Sequence, residues 1–547
     1  MLSMLTRRNM LTPSFILPAE ILAHIFQFVM VAFLEEPYTL GCVHFTHVCR
    51  RWRQIALDDS TLWTHFSSYP WNKDWIAEWL SRAKNAPLVI HLKESMSEDK
   101  ISLFTPHISH TRELYVDNLS SLQPEIVQEI SIQKASVLEC LNLRVAESFP
   151  MVIQHVGHLF FKGPLPKLRI LRVSQIVFPW SLLPRGQLTQ LEVTLYDEES
   201  TMTSNDSRHD DLNQFIGLIN CPTLELLVLE NCLPAMLSES SAGQIIHLPR
   251  LSSLYLGGSS SRVTKLLKMF KLPSSTTLCL DCTSERTATH NDHHILPILS
   301  EYFNNPKFRS FKIGMDNLDR VTAVVASTSL LTRPIPCTGV ILSDGDADLN
   351  LLFHHISEIN DSLDILRRAC DMVSLSNLEF LSISFPNPDE VIDWSEIFQQ
   401  CTEVTTVQLS GHGTIGLLQA LTPKEANTRE KGGKRKHGDK GTGARAQAAN
   451  DTDNDEPAPV HVPIFPKLTS LRLEMLDFSD SVPGSGVLYN LVKGAVKRRK
   501  ANNTPLTTLY IVNCVLWEDQ AEALQKFVRH FRWDEREGYD DDVESDR

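Results

Sequence analysis

Side chains able to do chemistry gather at three places in this sequence. Cys42-x-His44-x-x-His47-x-Cys49 contains four side chains of the types that ligate zinc. On a helix, however, His44, His47 and Cys49 spread over different faces, so the spacing predicts a buried thiol beside surface histidines. His290-Asn-Asp292-His293-His294 holds metal-binding types without ligand spacing or a catalytic partner, and reads as a solvated loop. Gly411-His412-Gly413-Thr414-Ile415-Gly416 satisfies the glycine spacing of a dinucleotide loop. Such a site also needs an acidic residue about 20 positions on, at the end of the next strand. Here that position falls in a stretch with almost nothing apolar to bury. No P-loop, G-x-S-x-G, H-E-x-x-H or paired C-x-x-C occurs in the sequence. The expectation is a chain that is not an enzyme and carries no metal and no cofactor.

With catalysis lacking machinery, the chemistry to look for is that of surfaces. The chain has 547 residues, a 42% apolar fraction, and 52 Lys+Arg against 66 Asp+Glu, a net charge of −14. That length exceeds one ordinary domain, and that apolar fraction supports real cores. The acidic balance argues against direct nucleic-acid binding, which needs many cations facing phosphates. The apolar run Ile25–Leu34 is broken by Gln27 and falls short of the ~20 residues of a membrane span. Met1 to Phe15 has Arg7 and Arg8 but no apolar stretch after them to make a secretory leader. Eleven cysteines without regular spacing do not form a disulfide framework. A soluble protein of the cytoplasm and/or nucleus with reduced thiols is expected.

Leu17-Pro18-Ala19-Glu20 opens the first strong pattern. Proline suits the first helical turn, where its missing N–H costs nothing, and Glu20 suits the positive helix end. Ile21, Leu22, Ile25, Phe26 and Val29 then recur at helical spacing as one apolar stripe. Glu35, Glu36 and Pro37 stop that helix. A second helical stretch carries Phe45, Val48, Cys49, Trp52, Ile55 and Ala56 on one face, with Arg50, Arg51 and Arg53 toward solvent. Asp58-Asp59-Ser60 breaks it, and Leu62-Trp63 returns as an apolar anchor. About fifty residues hold too small a core to leave so much Leu, Ile and Trp without a partner.

Leu17-Pro18-x-Glu20-Ile21-Leu22-x-x-Ile25-Phe26, then Val48-Cys49-Arg50-Arg51-Trp52-x-x-Ile55-Ala56, then Ser60-x-Leu62-Trp63, resembles an F-box over residues 16–67. The gap between Phe26 and Val48 is somewhat long for that family. The resemblance implies docking onto the Skp-type adaptor of cullin–RING ubiquitin ligases. Leu17, Pro18, Ile21, Leu22 and Ile25 match the family's N-terminal docking stretch, and Val48 and Trp52 its later apolar positions.

From about residue 108 an apolar-x-x-apolar-x-apolar pattern recurs. It appears as Leu138/Leu141/Leu143, Leu168/Leu171/Val173, Leu188/Leu191/Val193, Leu224/Leu227/Leu229 and Leu251/Leu254/Leu256. It continues as Phe308/Phe311/Ile313, Leu378/Leu381/Ile383, Val404/Val407/Leu409, Leu468/Leu471/Leu473 and Leu506/Leu509/Ile511. Weaker copies include Leu278/Leu280 and Val340/Leu342. The last two apolar positions are two apart, as one face of a strand requires. Leu224 to Cys232 and Leu506 to Leu516 extend the pattern and resemble the leucine-rich repeat, with Cys232 and Cys514 bonding the turning backbone. Copies spaced from about 20 to over 40 residues depart from the ~20–29 of regular repeats, so the solenoid is expected to be irregular, with a curved parallel sheet. The residue between the paired apolar positions points to the opposite face. That row reads Tyr115, Asn142, Arg172, Glu192, Tyr255, Lys312, Gln408, Arg472 and Tyr510. Tyr115, Arg172, Tyr255, Arg472 and Tyr510 are the candidate contacts to a target protein, because tyrosine and arginine are enriched at binding hot spots.

The expected layout is a flexible 1–15, an all-α F-box module at 16–67, a helical linker at 68–107, and a repeat solenoid at 108–421. A disordered insert at 422–464 follows, basic at Lys431, Lys434, Arg435 and Lys436 and acidic from Asp451 to Glu456, then final repeats at 465–533 and an acidic tail at 534–547. Lys497-Arg498-Arg499-Lys500 is expected at the C-terminal turn of a helix. The fold class is α/β. F-box followed by divergent leucine-rich repeats is similar to a large set of fungal F-box proteins. The resemblance implies a substrate receptor of an SCF-type ligase. The competing readings are a non-catalytic scaffold outside any ligase and an enzyme on an α/β fold.

Overall fold

A computed structural model describes residues 9–34, 42–67, 72–92, 98–117, 134–145, 154–155, 165–177, 187–195, 215–216, 219, 221–233, 245–283, 295–302, 308–316, 321–330, 347–354, 359–372, 375–385, 394–421, 464–482 and 486–534. The His290–His294 cluster, the Val340/Leu342 copy, the insert from 422 to 463 and the tail beyond Asp534 lie outside the described residues. The chain divides into two compact units, residues 1–302 with 351–353, and residues 303–350 with 354–547.

The first unit begins with helices. A short helical turn, Pro13–Ile16, precedes α1 (Ala19–Leu34), whose Leu22 N–H closes onto the Pro18 carbonyl at 3.2 Å. Of the stretch 1–15 expected to be flexible, residues 9–15 are described, and they include this helical turn. α2 (Cys42–Val48) and α3 (Arg50–Asp58) follow. One continuous helix was the expectation over this stretch, but Cys49 is extended (φ −158°, ψ 169°) and caps α3, its sulfur accepting from Trp52 N–H at 3.5 Å. Asp59 ends α3 and caps the 3₁₀ turn Ser60–Trp63 through Thr61 N–H. Trp63 is fully buried, donates from Nε1 to the Ala56 carbonyl at 2.7 Å, and meets Trp79 of α4 (Lys73–Ala83) edge-on at 4.9 Å.

The stretch 68–107 is not purely helical. It contains α4 and the strand Leu88–Leu92, which lies parallel between His65–Ser67 and Thr111–Val116. Parallel pairing then runs in chain order through Cys140–Arg144, Ile170–Ser174, Gln190–Thr194, Leu226–Glu230, Ser253–Ser259 and Thr277–Thr283. The register stacks Leu114, Leu141, Leu171, Leu191, Leu227, Leu254 and Leu278 in one buried column. A single strand of five residues buries only two or three side chains; neighbours in register make them a continuous core.

The second unit repeats this construction. Ser310–Asp316, Phe380–Ser384, Thr406–Ser410, Ser470–Glu474, Thr508–Val512 and His530–Trp533 pair in parallel. The short pair Ser481–Val482 and Gly486–Val487 is antiparallel, and so, within the large sheet, is Val321–Ser327 against Ser310–Asp316. The apolar-x-apolar pattern does not contain this strand, because its Ala323, Val324, Val325 and Ala326 are consecutive and all buried.

Candidate adaptor-docking site

The helical module places its apolar side chains on two sides. Leu22, Phe26 and Met30 of α1 are buried, and Phe26 stacks on Phe45 of α2 at 4.4 Å and meets Trp52 of α3 at 4.9 Å. Ile21 and Ile25 stay 45% and 40% exposed, and Phe28 of the same helix is 78% exposed. Val29 is also exposed, as is Pro18 at the helix start, and Val48 at the end of α2 is 58% exposed. Leu17 and Trp52 are half-buried.

The candidate docking residues thus divide. Pro18, Ile21, Ile25 and Val48 present free surface, whereas Leu22 is an internal side chain and cannot meet a partner without unfolding α1. Phe28 was not singled out from the sequence, although its type and exposure make it the largest apolar group on this face.

Hydrogen bonds hold the face in shape. Gln27 Nε2 donates to Asp59 Oδ2 at 3.3 Å and Thr61 Oγ1 at 2.7 Å, tying α1 to the 3₁₀ turn. Arg53 Nε donates to the Thr46 carbonyl at 2.6 Å, joining α3 to α2. Arg51 donates to the carbonyls of Phe15 and Leu17, and its guanidinium lies 4.9 Å from the Phe15 ring centre. Two of the three arginines read as solvent-facing are therefore clamps between segments.

These helices meet a known family. Residues 15–68 match the F-box-like family model. No curated protein matches the chain. F-box domains bind Skp-type adaptors generally, so the F-box-like domain suggests an adaptor-binding role for this part of the chain.

The candidate target contacts form two rows, one in each unit. In the first, His91, Tyr115, Asn142, Arg172, Glu192, Val228, Tyr255 and Cys279 stand in register. His91 stacks on Tyr115 at 4.2 Å, whose hydroxyl donates to Glu113 Oε2 at 2.9 Å. Arg172 donates to Glu192 at 2.7 Å and to Gln190 at 3.0 Å, and Tyr255 donates to Asp281 at 3.1 Å. Burial raises the phenols of Tyr115 and Tyr255 far above their usual range and pushes the Cys279 thiol up to about 12. Burial also raises the Glu230 carboxyl, with the neighbouring Asp281 adding to it.

In the second unit Lys312, Gln408, Arg472 and Tyr510 stand in one row, with Ser382 between the first two. Lys312 and Gln408, expected on an open face, are buried, so only Arg472 and Tyr510 remain half-exposed. Arg472 bonds Glu474, and Arg532 lies 5.9 Å from the Tyr510 ring.

The sequence decoys resolve into structure. His44 and His47 are exposed while Cys49 caps a helix, and no metal-binding group of three or more ligand types occurs among the described residues. At the glycine-rich turn, Gly411 N–H bonds the Glu474 carbonyl and Gly413 N–H the Phe385 carbonyl, so these donors hold protein, not phosphate. Gly411 has φ +79°, which is why glycine stands there. Cys514 donates to the Leu473 carbonyl at 3.6 Å and Cys232 to that of Val193 at 3.5 Å, as the turning backbone requires. The four-cation run ends the helix Leu488–Ala501 as expected, but Arg499 is buried and donates to the carbonyls of Phe465 and Leu468 at 3.0 and 3.3 Å.

Proposed function

We propose that this chain is the substrate-recognition subunit of an SCF-type, cullin–RING ubiquitin ligase. The observation that carries the reading is the unpartnered apolar face of the F-box-like domain, where Ile21, Ile25, Phe28 and Val48 stand exposed above a packed interior. The F-box-like domain docks the Skp-type adaptor, and through it a cullin. The parallel strands are read as divergent leucine-rich repeats whose tyrosine and arginine row holds a target protein. The chain itself supplies no catalytic group; transfer gains from the raised effective concentration of a held target near the conjugating enzyme. Such a receptor works in the cytoplasm or nucleus.

Co-purification from cells tests this directly. Wild type should bring down both adaptor and cullin, and Ile21→Asp with Ile25→Asp should lose both while remaining folded. Adaptor without cullin would point to the scaffold reading instead. Unchanged capture by the double variant would remove the docking assignment.

A further inference from the structure

The segment ahead of α1 is short, rich in apolar side chains and tied to α3. Thr12 N–H closes a turn onto the Asn9 carbonyl at 3.1 Å, with its hydroxyl on the same oxygen at 2.7 Å. Phe15 N–H bonds the Thr12 carbonyl at 3.0 Å, and Pro13–Ile16 forms a helical turn. Arg51 of α3 then grips the segment at two successive points, the carbonyls of Phe15 and Leu17, with its guanidinium over the Phe15 ring. On this anchored arm Leu11 is 84% exposed, Ile16 79% and Met10 50%.

A flexible tail exposes apolar side chains without structural consequence. Here the backbone closes its own turn and is bonded by Arg51, and the side chains still face water. Preorganised apolar groups of this kind cost little further ordering when a partner covers them. Ile16 precedes Pro18 by two residues and Ile21 by five, so the arm leads directly into the first turn of α1.

We propose that residues 10–16 form an N-terminal extension of the adaptor-docking face, with Leu11 and Ile16 as its contacts and Arg51 as the positioning residue. The proposal rests on the docking reading above and names the Skp-type adaptor as occupant, because the arm runs directly into the matched F-box-like domain, beginning at residue 15. Met10 and Leu11 lie outside that match, so the extension is a property of this chain.

Calorimetric titration of purified adaptor into the full chain tests it. Leu11→Ser with Ile16→Ser should weaken binding at least about tenfold while the melting temperature stays that of wild type. Affinity within twofold of wild type would overturn the proposal. Ile21→Asp, run beside it, separates the two readings. If that variant loses binding and the serine pair does not, the arm fails alone; if Ile21→Asp binds normally, docking and arm fail together. A wild-type dimer made monomeric by the serine pair, with adaptor affinity unchanged, would reassign the arm to a second copy of this chain.

Discussion

Ile25 and Phe26 are adjacent in the chain and about 100° apart around α1, and that rotation gives them opposite roles. Phe26→Ala removes a ring stacked on Phe45 and tilted against Trp52, and should destabilise the domain by about 3–5 kcal/mol. Ile25→Ala should leave stability within about 0.5 kcal/mol and weaken adaptor binding. Denaturant melts paired with titration of each variant check both. The buried cysteines give a second prediction. Cys401 and Cys514 are buried, and that burial pushes each thiol up to about 12, so almost no thiolate exists near neutrality. Iodoacetamide at mildly alkaline pH should leave them unlabelled in the folded protein and label them in urea, read by mass spectrometry. The Phe26 contacts could not be read from spacing alone, since Ile21, Leu22, Ile25 and Phe26 all satisfy one stripe.

At the scale of elements, the first unit carries a built-in acid sensitivity. Burial holds His65, His107 and His110 below the usual histidine value, with Arg112 adding at His65 and His110 adding at His107. The folded state therefore takes up their protons less readily than the unfolded chain. Their contribution is present above the unfolded value of about 6.5 and is lost as pH falls through it toward the lower folded values. The denaturation midpoint of this unit should drop on going from pH 7.5 to 5.5, and His107→Asn should flatten that slope. A midpoint insensitive to pH over this window would contradict the assignment. The strands themselves were legible: each quoted apolar-x-apolar pair lies in a strand wherever the residues are described. His65–Ser67 is too short to show an alternation, and Val321–Ser327 is apolar on both faces, so periodicity gave no signal for either.

For the molecule as a whole, the charge of −14 sets which partners approach unaided. Basic runs are present, but Arg499 is spent inside the second unit on two carbonyls. The chain should elute from heparin at or below physiological ionic strength and bind an anion exchanger, consistent with a protein partner and not nucleic acid. Retention on heparin to high salt would overturn that expectation. The described helices include none long and apolar enough to cross a membrane.

The linear order of residues by itself determined that an apolar helical module opens the chain, and that strands follow with their leucines two apart. Both are local facts, set by the periods of helix and strand. Only the tertiary structure decided which side of α1 is interior, because the adjacent Ile25 and Phe26 are both apolar and the choice belongs to Phe45 and Trp52, against which Phe26 packs. It decided also that Arg51 and Arg499 act as clamps, since the carbonyls they hold lie 34 to 36 and 31 to 34 residues away in sequence. Contacts at that separation leave no periodic trace; they exist only once the backbone has brought the donor to its acceptor.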